Sequence, residues 1–142
     1  MRSDTYEVSR KFNHRHIRLL DMRYDDGGPL KTKSMDFSVR IYNLGRLLNS
    51  RGEQTLRGQV VRAGTSIGAN ISESRRAESL ADFIHKLSIA QKECEETRYW
   101  LELLSKIGLI TEAEYQSIDT DAAEIDRILS ASINTAKGRN KD

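Results

Sequence analysis

Leu80–Ile107, LADFIHKLSIAQKECEETRYWLELLSKI, is the stretch from which the rest of the chain can be read. Phe83, Leu87, Ala90, Cys94, Thr97, Leu101 and Leu104 recur at alternating steps of four and three. A seam of that period keeps one face of an α-helix turned toward neighbouring helices, the pattern of left-handed bundle packing. A half-buried strand would instead alternate every second residue. Ser79 with Asp82 three residues on reads as a capping box in which Asp replaces the usual Glu, and Gly108 after Lys106-Ile107 reads as a stop. The spacing therefore predicts a helix over 80–107 that needs apolar partners on one side.

Those partners are legible on both flanks. Upstream, Leu56, Val60, Ala63, Ile67 and Ile71 form a stripe over a helix expected from Glu53 to Arg75. Gly64 and Gly68 lie inside it. Each glycine costs a helix interior ~1 kcal/mol relative to alanine, so close approach of a neighbouring helix is the expected reason for both. Further upstream, Phe37, Ile41, Leu44 and Leu48 mark a helix expected from Ser34, as N-cap, to Asn49, with Asp36 in its first turn. Downstream, Thr111 and Glu114 make a capping box for a helix from Glu112 to Asn134. Its stripe is Tyr115, Ile118, Ala122, Ile125, Leu129 and Ile133, with Ile110 and Tyr115 placed as a hydrophobic staple. Four amphipathic helices joined by short connections predict an all-α, antiparallel up-down-up-down bundle over residues 31–135.

Residues 1–30 read as an N-terminal extension and 136–142 as a polar tail. Asp25-Asp26-Gly27-Gly28-Pro29 is a cluster expected to stop a helix. Before it, Val8, Phe12, Ile17, Leu19, Leu20 and Met22 fit one short amphipathic helix with Arg10, Lys11, Arg15 and Arg18 outside. A flexible extension, or a translated leader ahead of a start at Met35, fits the same residues.

At 142 residues, 37% hydrophobic and 31% charged, the composition suits one globular domain and leaves no run near the ~20 apolar residues of a spanning helix. The first residues carry no apolar stretch of the secretory kind. One cysteine, Cys94, leaves no internal disulfide and points to a reducing cytoplasm. The net charge of +2 conceals a split. Residues 31–76 hold nine Lys/Arg against three Asp/Glu, whereas residues 77–142 hold eight against thirteen. Either the basic half offers a face to an anionic partner, or basic and acidic helices neutralise each other. On the first alternative Arg40, Arg46, Arg57, Arg62, Arg75 and Arg76 are the candidate nucleic-acid-binding residues, with Arg40 and Arg57 facing outward as a phosphate-binding strip. No aromatic residues interleave with these cations, so base-specific recognition is not expected.

The stretch Gln59-Val-Val-Arg-Ala-Gly-Thr-Ser-Ile-Gly-Ala-Asn-Ile-Ser-Glu73, with Asp82-Phe83-Ile84, Lys92-Glu93, Glu96-Thr97 and Tyr99-Trp100-Leu101-Glu102-Leu103-Leu104, resembles the four-helix-bundle family named for intervening sequences of bacterial 23S ribosomal RNA genes. The likeness covers about Lys31 to Ile128. It implies a bundle that assembles as a ring, typically a homopentamer. It also implies distant kinship with the accessory protein of diversity-generating retroelements, a basic pentameric bundle that works with a reverse transcriptase and nucleic acid. It implies a self-associating accessory protein, with RNA, DNA, a reverse transcriptase or another protein as partner. No catalytic residues are established for the family, and none are carried over.

Other motifs point away from catalysis. Gly64-Thr65-Ser66-Ile67-Gly68 has the G-x-S-x-G spacing of a nucleophile elbow but lies mid-helix, with His85 the only histidine after it. Asp82-x-x-His85 supplies one carboxylate–histidine pair where a di-iron bundle needs two pairs and two further carboxylates. No metal, cofactor or catalytic site is therefore expected. Glu93, Glu95, Glu96 and Glu102 read as a solvated or ion-paired helix face. Asn70, Glu73 and Glu96 are expected to form a polar network that fixes helix register, with Arg62 or Arg98 as partner. Tyr99 and Trp100 leave the seam held by Leu101, and are expected at a subunit interface or, alternatively, on the flank of the same core. Asn70-Ile71-Ser72 has the spacing of a glycosylation sequon, which has no meaning on a cytosolic helix.

Overall fold

The computed structural model describes residues 28–138, which fold as four α-helices with no strand among them. They are α1 (Gly28–Ser50), α2 (Thr55–Ser74), α3 (Leu80–Lys106) and α4 (Glu112–Lys137). Each packs on the next in sequence, and α1 closes the bundle against α4, the arrangement of an up-down-up-down bundle. The extension's apolar row from Val8 to Met22 and the last residues of the tail lie outside the described residues.

The core is the set of stripes, save that Leu56 and Tyr115 are only partly buried against it. Phe37, Ile41, Leu44 and Leu48 from α1 meet Val60, Ala63, Ile67 and Ile71 from α2. They also meet Phe83, Leu87, Ala90, Cys94, Leu101 and Leu104 from α3 and Ile118, Ala122, Ile125, Leu129 and Ile133 from α4. Thr97 occupies its seam position fully buried and donates its hydroxyl to the Glu93 carbonyl at 2.7 Å, so the polar atom is satisfied within the helix.

The glycines of α2 are where α1 comes closest. A Cβ built on Gly64 would lie 2.7 Å from both Cγ1 and Cγ2 of Ile41. One on Gly68 would lie 3.2 Å from Ser38 Oγ and 3.4 Å from the Ser34 carbonyl oxygen. Gly45 of α1 faces back across the same crossing, its built Cβ 2.7 Å from Val61 Cγ2.

Two helix ends differ from the sequence expectation by more than two residues. α1 starts at Gly28, six residues before Ser34. Ser34 is no N-cap: it is buried mid-helix and its hydroxyl donates to the Lys31 carbonyl at 3.1 Å. Asp36 consequently lies outside the first turn. Pro29 begins the helix instead of stopping it, because a proline in the first turn brings a pre-set φ and lacks only an N–H that would have had no intrahelical partner. Leu30 then extends the inner stripe by one turn, packed against the core. At the far end α4 runs past Asn134 to Lys137, burying Ala136, and Gly138 closes it at φ 69°.

The capping box of α4 has both its bonds. Thr111 Oγ1 accepts from the Glu114 N–H at 3.1 Å, and Glu114 Oε1 accepts from the Thr111 N–H at 2.8 Å. That backbone bond, followed by the hydrogen bond from Arg51, holds the Glu114 carboxyl below its ordinary value. Its folded value is depressed, so its contribution is present above the unfolded carboxylate range and lost as pH falls through the folded value. Thr111→Ala is expected to cost about 1 kcal/mol. The smaller penalty of Glu114→Gln should be present near neutral pH and shrink toward zero in acid, as urea titrations across that range would read. A penalty independent of pH would show that the charge plays no part.

Candidate functional site

Four of the nine cations in the basic half, Lys33, Arg40, Arg51 and Arg62, are paired with carboxylates of the acidic half, helix against helix. Lys33 reaches Glu124 at 2.8 Å and Arg40 reaches Asp121 at 2.6 Å, both across the α1–α4 contact. Arg51 meets Glu114 at 3.2 Å at the end of α1. Between α2 and α3, Arg62 donates to Glu93 at 3.3 Å and to Glu96 at 2.5 Å, and Lys86 reaches back to Glu73 at 2.9 Å. Arg98 makes a two-point contact with Asp119 between α3 and α4, at 2.8 and 3.1 Å. The hydrogen bond from Arg62 holds the Glu96 carboxyl below its ordinary value and raises the Arg62 guanidinium in turn. These pairs are at least partly exposed to water, where each contributes little to stability. Their effect here is to decide which cations remain available.

This placement corrects the expected strip. Arg40 does not face outward with Arg57: it turns toward α4, where Nη1 also donates to the Ser117 carbonyl and Nη2 to Ser117 Oγ. Arg46 lies six residues further along α1, about one and two-thirds helical turns, and so points to a different side. Arg75 and Arg76 sit at the opposite end of α2 from Arg57, on the order of 27 Å away along its axis. Arg75 lines a separate cleft of about 150 Å³ with Leu30, Ile71, Phe83, Leu87 and Ile128.

The cations that do converge are Arg46, Arg57 and Arg62. They line a groove of about 630 Å³ between the second half of α1 and the first half of α2, together with Tyr42, Gly45, Asn49, Ser50, Gly58 and Val61. Its lining holds no carboxylate. Among the described residues Arg46 and Arg57 make no ion pair, and Arg57 has only Gln54 Oε1 at 3.3 Å. Gly58 keeps one wall low, since a Cβ built there meets nothing within 4 Å. The groove thus offers two unneutralised guanidiniums, a third shared with Glu93 and Glu96, a phenol and an amide: a site for anions, with hydrogen-bond donors to orient them.

Tyr42 is the member that the sequence reading missed. It is 60% exposed, and with Met35 and Val39 it forms a second row on α1, opposite the core stripe. Arg46 continues that row one turn on. The steps Met35, Val39, Tyr42, Arg46 are four, three and four, the same signal that located the core, and they set an aromatic beside the cation after all.

The remaining candidates separate. Asn70, Glu73 and Glu96 do not meet: Asn70 Nδ2 donates to the Ser66 carbonyl at 2.8 Å within its own helix, Glu73 takes Lys86, and Glu96 takes Arg62. Glu96 also accepts from the Trp100 indole at 3.2 Å. Trp100 is half-buried against the core, whereas Tyr99, edge-on to it at 5.1 Å between ring centroids, is 58% exposed. His85 is exposed, and among the described residues no group of three or more His, Cys, Asp and Glu is placed to hold a metal ion. No helix of the described residues is long and apolar enough to cross a membrane.

Comparison with known proteins gives one family and matches among solved structures. The model of the family described as 23S rRNA-intervening sequence protein matches residues 30–131. A crystal structure of a protein of unknown function from the S23 ribosomal protein family of Bacteroides thetaiotaomicron VPI-5482 is 50% identical. The match covers 73% of this chain and 97% of that one, with a TM-score of 0.73. No curated protein matches this chain.

Proposed function

Because the chain belongs to the 23S rRNA-intervening sequence protein family, we propose that it is a non-catalytic, cytoplasmic, homo-oligomeric accessory bundle that binds nucleic acid through the α1–α2 groove. A pentameric ring is the assembly we propose. The observation that carries the reading is selective: Lys33, Arg40, Arg51, Arg62 and Arg98 are each met by a carboxylate, while Arg46 and Arg57 face a groove whose lining has none. Unneutralised guanidiniums in a concave site favour phosphate, and the bond to a phosphate oxygen can be two-pronged.

The test is binding of RNA and DNA across a salt series. Each phosphate engaged adds roughly 0.7–0.9 to the slope of log affinity against log salt. Arg46→Gln with Arg57→Gln is expected to lower that slope by about 1–2 per protomer and leave the fold intact, since both side chains lie outside the core. Affinity indifferent to salt would overturn the reading. Light scattering with and without nuclease would read the assembly mass and any carried nucleic acid together.

A second reading, a protein-interaction scaffold with no nucleic-acid role, has its own observation. The outward row of Met35, Val39 and Tyr42 is the kind of exposed apolar stripe that partner proteins cover, a reverse transcriptase or another polypeptide among them. Co-purification of one protein partner in salt that strips nucleic acid would favour it.

A further inference from the structure

We propose that the α1–α2 groove takes single-stranded nucleic acid, with one base stacked on the Tyr42 ring and the adjoining phosphates held by Arg46 and Arg57. This rests on the reading of the groove as a nucleic-acid site and adds which form of nucleic acid enters it. Three observations carry it. Tyr42 lines the same groove as the two cations that have no ion pair. The residue is 60% exposed and no other aromatic ring is packed on it among the described residues, so it is accessible to a base. Arg46 follows one turn along the same helix, roughly 6 Å away along the axis, so aromatic and cation are presented side by side. An aromatic platform beside backbone-tracking cations is how proteins hold unpaired strands, because every base has a π-face while a phosphate is common to all nucleotides.

The shape of the site argues against a duplex. Packed helices stand about 8–10 Å apart, and the groove between them is a recess in the protein. Double-stranded nucleic acid is read by elements that project from a protein into a groove of the duplex. Its own bases are stacked inside and cannot lie on the Tyr42 ring. A splayed single strand can place one base there without breaking any pairing.

The experiment uses the full chain in its native assembly and measures fluorescence anisotropy with three labelled probes. They are a single-stranded oligoadenylate of about twelve nucleotides, its duplex with oligouridylate, and an abasic ribose-phosphate strand of the same length. The wild-type protein is expected to bind the single strand at least about 10-fold more tightly than the duplex. Tyr42→Ala should weaken the base-bearing strand by about 10-fold and leave the abasic strand unchanged. Tyr42→Phe should bind as wild type, since the ring and not the hydroxyl makes the contact. Thermal melting of each variant confirms that the fold is retained. If Tyr42→Ala changes nothing while Arg46→Gln and Arg57→Gln still reduce the salt slope, the basic-groove reading stands and the single-strand inference is wrong. If the duplex binds as well as the single strand, the inference is equally overturned. If no probe binds even in low salt, the underlying reading fails as well.

Discussion

Gly64→Val is expected to lower the stability of the bundle by about 3 kcal/mol, the largest loss we anticipate from adding only three carbons. The space is already taken: even a single Cβ would sit 2.7 Å from two carbons of Ile41 and 3.1 Å from a third. Ile41 is fully buried and branched at Cβ, so it has no free rotamer into which to withdraw. Valine adds two methyl groups beyond that, and its gain in helix propensity over glycine is only a few tenths of a kcal/mol. Pushing α1 away from α2 would also open the neighbouring close contacts at Gly45 and Gly68. At about 4 °C per kcal/mol for a domain of this size, the midpoint should fall by about 12 °C. Gly58→Ala in the same helix is the control of opposite sign. Nothing lies within 4 Å of its built Cβ, so it should gain about 0.5–1 kcal/mol by lowering the freedom of the unfolded chain and favouring the helix. Calorimetry of the two variants beside wild type is sufficient. Equal midpoints for Gly64→Val and wild type would mean that α1 and α2 do not meet there.

The same contacts explain how much of the fold the sequence could state in advance. The inner stripes were readable because period alone reports them: a residue every three or four positions must return to one face, whatever lies opposite. Glycines at mid-helix carried a second message, since their propensity cost needs an offset. The start of α1 is hidden in the sequence for a local reason. Gly28-Pro29 is a break in the interior of a helix and a beginning at its edge, and which it is depends on whether Leu30 and Ser34 find a core to face. The end of α4 was set similarly, by the burial of Ala136, three residues beyond Ile133, the last large apolar residue of the stripe.

The groove was less legible, because its composition depends on which cations are already taken. A list of arginines does not show that Arg40 faces Asp121, 81 residues away, or that Arg62 lies between Glu93 and Glu96. Such pairings follow from the rotation of one helix relative to its neighbour, which the sequence fixes only through the whole core. The charge split between the two halves held both outcomes at once: neutralisation at the α1–α4 and α2–α3 contacts, and a surplus at the outer side of α1 and α2. Tyr42 is a partial exception. Its four-residue spacing from Arg46 is visible in the sequence, but the spacing within one helix does not show that this face borders a groove with α2.

Cys94 should be inert to thiol reagents for as long as the bundle stays folded. It has no exposed surface, and its Sγ–H donates to the Ala122 carbonyl at 3.3 Å across the α3–α4 contact. Burial, with Asp126 nearby as the next cause, pushes the thiol from its ordinary 9.0 up to about 12. The reacting species is the thiolate, so a rise of that size alone cuts its population about a thousandfold at mildly alkaline pH, before any loss of access is counted. Labelling by Ellman's reagent is therefore expected to be at least about a thousand times slower in native buffer than in denaturant. The residual rate would report the opening of the α3–α4 seam. The same shift bears on stability. The unfolded thiol ionises near 9.0 and the folded one near 12, so between those values the unfolded chain has given up a proton that the native chain retains. Stability contributed by the neutral thiol is full below the unfolded value and is lost as pH rises through that window. Cys94→Ala should lack this part of the alkaline slope while paying a small packing cost at every pH. Rapid labelling of the native protein, or an alkaline slope unchanged in Cys94→Ala, would place Cys94 in contact with water and deny it a position in the seam.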